Sequence, residues 1–147
     1  MKNAVVPQIL LIALSALSLV ACHTAEHALI PQKHQLYIPQ SAIAFQATTS
    51  ELRSAEKLLR RAFAARPGYQ DWKVQFRLRD YRRQFYAYTN AKGEKIIFAQ
   101  CIIKSWADQG DWRSFFFQPD DGCDGIFRVY LNLTLHTYSD FQFGTCA

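Results

Sequence analysis

Apolar and polar positions recur along this chain with two periods, and the change from one to the other divides it. Between residues 48 and 65, Leu52, Ala55, Leu59, Ala62 and Phe63 fall within about 100° of one another at 3.6 residues per turn. Arg53, Lys57, Arg60 and Arg61 occupy the opposite side, so this helix has one face that packs and one basic ridge. Thr48 with Glu51 three residues later is a capping-box pattern, and Arg66-Pro67-Gly68 ends the run. From residue 72 the period becomes two. Trp72, Val74, Phe76 and Leu78 alternate with Lys73, Gln75, Arg77 and Arg79, which predicts a strand. Further strands are predicted over 82–89, 94–104, 127–133 and 138–143, the first two joined by a hairpin at Asn90-Ala91-Lys92-Gly93. The 94–104 strand is apolar on both faces through Ile96, Ile97, Phe98 and Ala99, which predicts a central position. The pattern therefore predicts an α+β fold, one N-terminal helix packed on an antiparallel four- to five-stranded meander over 48–147.

The region before the helix has a different character. Lys2 precedes an apolar stretch at 9–20 of signal-peptide length, and the stretch ends in Leu19-Val20-Ala21-Cys22. That ending resembles the lipobox of bacterial lipoproteins at every position. The resemblance implies a signal peptide over 1–21, a lipid thioether at Cys22, and anchoring to a membrane through acyl chains such as palmitate. By the family's sorting habit, His23 after the cysteine implies the outer membrane, facing the periplasm. Residues 22–47 then read as a lipid-anchored tether, with Pro31, Pro39 and three of the four histidines (His23, His27 and His34). Histidines so spaced on a flexible strap preorganise no metal site, and residues 38–45 are expected to dock as a short edge strand.

Composition narrows the class. The chain has 147 residues, half of them hydrophobic, and all 21 aromatics (11 Phe, 7 Tyr and 3 Trp) follow the leader. Wholesale disorder is excluded, and nothing after the leader approaches the ~18 apolar residues of a membrane span. The helix and meander resemble the cystatin-like roll. The stretch Tyr81-Arg82-Arg83-Gln84-Phe85-Tyr86, the Gly93-Glu94-Lys95 hairpin and the late Phe127-Arg128-Val129-Tyr130-Leu131 strand resemble small envelope lipoproteins of unassigned function. This resemblance covers about residues 48–143 and implies a fold without an activity. The Gln-Val-x-Val-Gly hairpin with which cystatins inhibit cysteine proteases is absent, so that inhibition is not implied.

Chemistry is sparse. Of four cysteines, lipidation of Cys22 would leave Cys101, Cys123 and Cys146 in an oxidising compartment. Cys101 in the central strand can bridge to Cys123 on its probable neighbour, while a last hairpin turning at Thr134-Leu135 would set Cys123 opposite Cys146. A nucleophilic Cys101 would need a base, and His136 is the one histidine beyond the tether. Structural cysteine is the simpler reading. Asp120-Asp121-Gly122-Cys123-Asp124-Gly125 lacks the ligand spacing of an EF-hand and reads as an acidic turn. No metal site, cofactor or catalytic set is expected.

Two features point to recognition. Residues 53–83 hold ten Lys/Arg against three Asp/Glu, net +7, whereas 84–147 carry net −2. A ridge of Arg53, Lys57, Arg60 and Arg61 suits anionic headgroups, lipopolysaccharide or cell-wall polymer, and the compartment speaks against nucleic acid. The loop from Ser105 to Arg113 carries Trp106, Trp112 and Arg113 among acids and glycine, a pattern that suits a recognition surface or a cover for the sheet. The expected function is a non-catalytic, membrane-anchored interaction module binding an envelope protein or glycan. A self-associating structural component is the second expectation, and a thiol-dependent enzyme the third.

Overall fold

The computed structural model describes residues 26–30, 38–66, 76–114 and 122–145. The expected signal peptide, Cys22, His23, His34, most of the strand expected from Trp72, the Phe115-Phe116-Phe117 run, Asp120, Asp121 and Cys146 lie outside them. The chain is α+β, with one main helix on a six-stranded mixed sheet. In chain order the elements are β1 (His27–Leu29), β2 (Ile43–Ala44), α1 (Thr49–Ala64), β3 (Tyr81–Thr89), β4 (Lys95–Ile103), α2 (Lys104–Ala107), β5 (Ile126–Asn132) and β6 (Thr137–Phe143).

The sheet runs β1-β3-β4-β5-β6, with β2 also pairing β3, so β4 lies in the middle as its two-sided apolar run predicts. The expected meander is β3 to β6. Two short strands precede the helix, so α1 is not the first element. The tether reading also fails at 27–29, because β1 pairs in parallel with β3, His27 opposite Arg83 and Leu29 opposite Phe85. Strand β2 pairs antiparallel with β3 within the segment expected to dock at an edge.

Helix α1 begins where the capping box places it. Glu51 N–H donates to Thr48 Oγ1 at 3.2 Å, and Thr48 N–H returns a bond to Glu51 Oε2 at 2.8 Å. Ala55, Leu58, Leu59, Ala62 and Phe63 are buried against one sheet face. That face is built by Phe85, Ala87, Ile97, Ala99, Phe127 and Val129, all odd-numbered as a period of two requires. The alternation expected through Leu78 does not continue as a strand there. Asp80 accepts the N–H of Arg77 at 2.7 Å, and Leu78–Asp80 closes into a 3-10 turn before β3.

The β3–β4 hairpin is held at its turn by Asn90, whose Oδ1 accepts the N–H groups of Lys92 and Glu94 at 3.0 Å each. Gly93 supplies a φ of +79°. The β5–β6 hairpin has the expected register at its base, with Asn132 opposite Thr137 and Tyr130 opposite Ser139. The register then slips, so that Arg128 faces Gln142. The extra residue is absorbed around Asp140, whose φ is +53°, and this bulge changes the parity of the strand. Tyr138, Phe141 and Phe143 thus all pack on the helix-side core, which strict alternation would forbid.

Glu51 ties the cap to the sheet, since Lys95 Nζ lies 2.6 Å from its Oε1. The bond from Lys95, reinforced by those from Thr48, pulls the carboxyl down to about 2. A depressed carboxyl contributes stability that is present above its unfolded value and is lost as pH falls through the folded one. Thr48→Ala is therefore expected to lower unfolding free energy by about 1 kcal/mol at pH 7. In denaturant titrations repeated from pH 5 downward, the difference between Thr48→Ala and the parent chain should shrink as pH approaches 2.

Candidate functional site

The residues expected to recognise a partner occupy two surfaces of opposite character. On α1, Arg53, Lys57, Arg60 and Arg61 are all exposed. Among the described residues none of the four forms an ion pair; Arg61 reaches the carbonyl of His136 at 3.4 Å. The helix's two acids are turned the other way. Glu51 is bound to Lys95, and Glu56 lies 3.5 Å from Arg83 Nε and 4.0 Å from His27 Nδ1. The acids of α1 are thus spent inward on the sheet, and its outer face is purely cationic.

Arg83 organises the flank where β1 meets β3. Its side chain is 3% exposed and donates to Glu26 Oε2 at 2.5 Å and to the carbonyl of Leu78 at 3.1 Å. Its Nε makes no hydrogen bond. Glu26 also accepts from Lys104 Nζ at 3.0 Å, which joins β1, β3 and the start of α2. Partial burial opposes ionisation of Glu26, but its bonds to Arg83 and Lys104 outweigh burial and hold the carboxyl below its ordinary range. His27 stacks on Phe85 at 5.6 Å, so this histidine is a strand residue rather than part of a strap.

The tryptophan loop has the second of its two readings. Trp112 is 3% exposed and packs with Ile102, Ala107 and Ile126 on the sheet face remote from α1. Trp106 is half-buried and lies so close over Gly125 that a Cβ there would come within 2.6 Å of its ring. Of the two rings, Trp112 is the one buried as a cover, while Trp106 keeps part of its surface in solvent. A sheet whose central strand is dry on both sides needs a cover on each, and Trp112 supplies part of the second. Arg113 is exposed, with its guanidinium 4.5 Å from the Trp112 ring centre, and Arg82 stands 5.5 Å from the same ring.

Beneath this cover runs a row of polar side chains. Gln84, Gln100 and Arg128 face one another across β3, β4 and β5. Arg128 Nε donates to Gln100 Oε1 at 2.8 Å, Gln100 Nε2 to Gln84 Oε1 at 3.1 Å, and Gln84 Nε2 to the carbonyl of Trp112 at 2.6 Å. The row fixes the backbone of the tryptophan loop. The Asn90–Gly93 turn, followed back along its strands, sets Gln84 opposite Gln100, a pairing that alternation alone does not single out.

Cys101 is a free thiol, wholly buried, and burial pushes its ionisation up. It lies beside Arg83 in register, away from solvent, and His136 is exposed in the turn between β5 and β6. Cys123 is disulfide-bonded, so the Cys101–Cys123 pairing is not the one formed. The N–H of Cys123 donates to the carbonyl of Thr145 at 3.1 Å, which brings it beside the end of the chain. Between β1 and β2, a groove of about 450 Å³ is lined, among the described residues, by uncharged side chains that include Leu29, Ile30, Ile38, Phe45 and Tyr86.

No protein-family model, curated protein or solved structure matches this chain. The four cations of α1 are exposed, whereas Trp112 is buried in the second cover of the sheet. Burial makes a specific demand on the tryptophan. Trp112→Ala should lower unfolding free energy by about 3–5 kcal/mol, the cost of emptying a packed aromatic site. A change within about 0.5 kcal/mol in urea titrations, as for an exposed residue, would mean the ring covers nothing.

Proposed function

We propose that this chain is a lipid-anchored protein of the bacterial cell envelope, held by Cys22 in the outer membrane and facing the periplasm. It acts as a non-catalytic interaction module that meets an acidic partner, protein or glycan, through the outer face of α1. The lipobox pattern at 19–22 supports the anchor. A helix laid on the antiparallel β3–β6 sheet supports a cystatin-like roll, to which the parallel β1 is an addition.

The observation that carries the reading is the sorting of charge on α1. Four cations project outward without acidic partners among the described residues, while Glu51 and Glu56 face Lys95 and Arg83. A solvated helix face ordinarily mixes both signs and neutralises itself at i, i+4 spacing. Here the sheet draws off the acids. What remains is a one-sign surface, whose summed field attracts polyanions and falls off with salt.

The full chain in detergent should be retained on an immobilised acidic polysaccharide such as heparin and pass through neutral dextran. Arg60→Gln/Arg61→Gln should weaken retention by about tenfold, equivalent to about 1.4 kcal/mol. Lys92→Gln, an exposed cation on the β3–β4 turn, should leave it unchanged. Equal retention of all three proteins would remove α1 as the contact surface.

A further inference from the structure

Strand β1 shortens the distance between the folded domain and any lipid at Cys22. Cys22 lies four positions before Glu26, and an extended chain of that length spans at most about 14 Å. Glu26 is itself fixed to the domain by Arg83 and Lys104. An anchor at Cys22 would therefore hold the sheet within about one to two screening lengths of the headgroups at physiological salt.

The direction of β1 decides which part of the domain comes closest. Because β1 is parallel to β3 and begins opposite Arg83, residue 26 lies at the end of the sheet where β3 starts. The last turn of α1 lies at the same end, for Phe63 packs on Tyr81 at 6.0 Å and on Phe127 at 5.3 Å. Arg60 and Arg61 lie at that turn, with the Arg61 guanidinium reaching back to the His136 carbonyl at the other end of the sheet, and exposed Arg77 and Arg79 lead into β3. Four described acids of this end are engaged, Asp108 by Arg82 among them, while Asp124 beside Tyr81 forms no ion pair among the described residues. Glu26 binds Arg83 and Lys104, Glu56 faces Arg83, and Asp80 accepts the N–H of Arg77 and lies 4.0 Å from Arg79.

We infer that the cationic face of α1 docks on anionic phospholipid headgroups of the same membrane that holds the Cys22 lipid, so that the domain lies against the bilayer. The inference rests on the reading of Cys22 as the anchor and of α1 as the contact surface. Charge alone would suit an acidic polysaccharide equally well. The short leash favours the phospholipid, because it places one anionic surface permanently within reach. Polybasic surfaces beside a lipid anchor gain attraction from each Lys or Arg that comes within a screening length of the headgroups.

The test uses the lipidated full chain reconstituted in vesicles. Thr49→Cys places a label at the exposed start of α1, the end remote from Arg60 and Arg61, while Cys101 is buried and stays unlabelled. Energy transfer from this donor to acceptor-labelled headgroups reports whether the helix lies down. Transfer should be roughly twofold greater with one-third phosphatidylglycerol than with phosphatidylcholine alone, and the excess should vanish near 1 M salt, where screening lengths fall to about 3 Å. The excess should also vanish in Arg53→Gln/Lys57→Gln/Arg60→Gln/Arg61→Gln and persist in Lys92→Gln. Equal transfer in both vesicles, or an excess that survives the fourfold change, overturns the inference. If ridge-dependent binding to the polysaccharide persists while transfer is equal, the interaction module stands and the phospholipid does not. A chain that fails to remain on phosphatidylcholine vesicles removes the anchor, and the inference with it.

Discussion

Eight consecutive residues of β4, from Ile96 to Ile103, are buried, and a strand dry on both faces exists only if something covers each of them. Helix α1 covers one. The other is closed by α2 and Trp112 at one end and by Ile30, Ile38 and Ala42 near Tyr86 and Phe98 at the other. This one requirement explains why the tryptophan loop folds back and why residues ahead of the helix are drawn into the sheet. At about 25 cal/mol per Å² of apolar surface removed from water, burying a large aromatic outweighs leaving it exposed as a contact.

The second cover crosses a polar row, and the sheet meets that problem internally. Gln84, Gln100 and Arg128 pass hydrogen bonds from strand to strand and end on the Trp112 carbonyl. A buried amide without a partner would cost roughly 1–3 kcal/mol, so the row is tolerable only because each described link is made. Charge is handled on the opposite face by the same economy. Lys95 and Arg83 take up the acids of α1, and this neutralisation inside the fold creates the one-sign surface outside it. Structural ion pairs and surface field are two sides of one arrangement.

How much of this was legible in the sequence depends on whether the cause was local. The capping box at Thr48 and Glu51 and the apolar stripe through Phe63 are local, and they marked α1 to within a residue at each end. Alternation likewise marked β3 to β6. Strand β1 was invisible, because three residues carry no period and their pairing depends on Arg83 and Lys104, 57 and 78 positions away from Glu26. Trp112 was ambiguous for the same reason. Its neighbours in sequence are polar, while its neighbours in space come from β4 and β5. The run toward Leu78 alternated correctly for a strand, but the Asp80 side chain closed a turn that alternation does not encode. The outward cations of α1 were readable from the helical wheel. The inward pairing of its acids required the register of the sheet.

Among the described residues β6 is the last strand of the sheet, and a last strand is where a second chain could pair. A straight, exposed edge strand would invite copies of a chain to stack into filaments. The left-handed residue at Asp140 breaks that edge where it would otherwise run flat. The bulge sends Phe141 and Phe143 inward and leaves Ser139, Asp140 and Gln142 outside. One extra residue in the last strand thus completes the core and blunts the template for polymerisation in the same step.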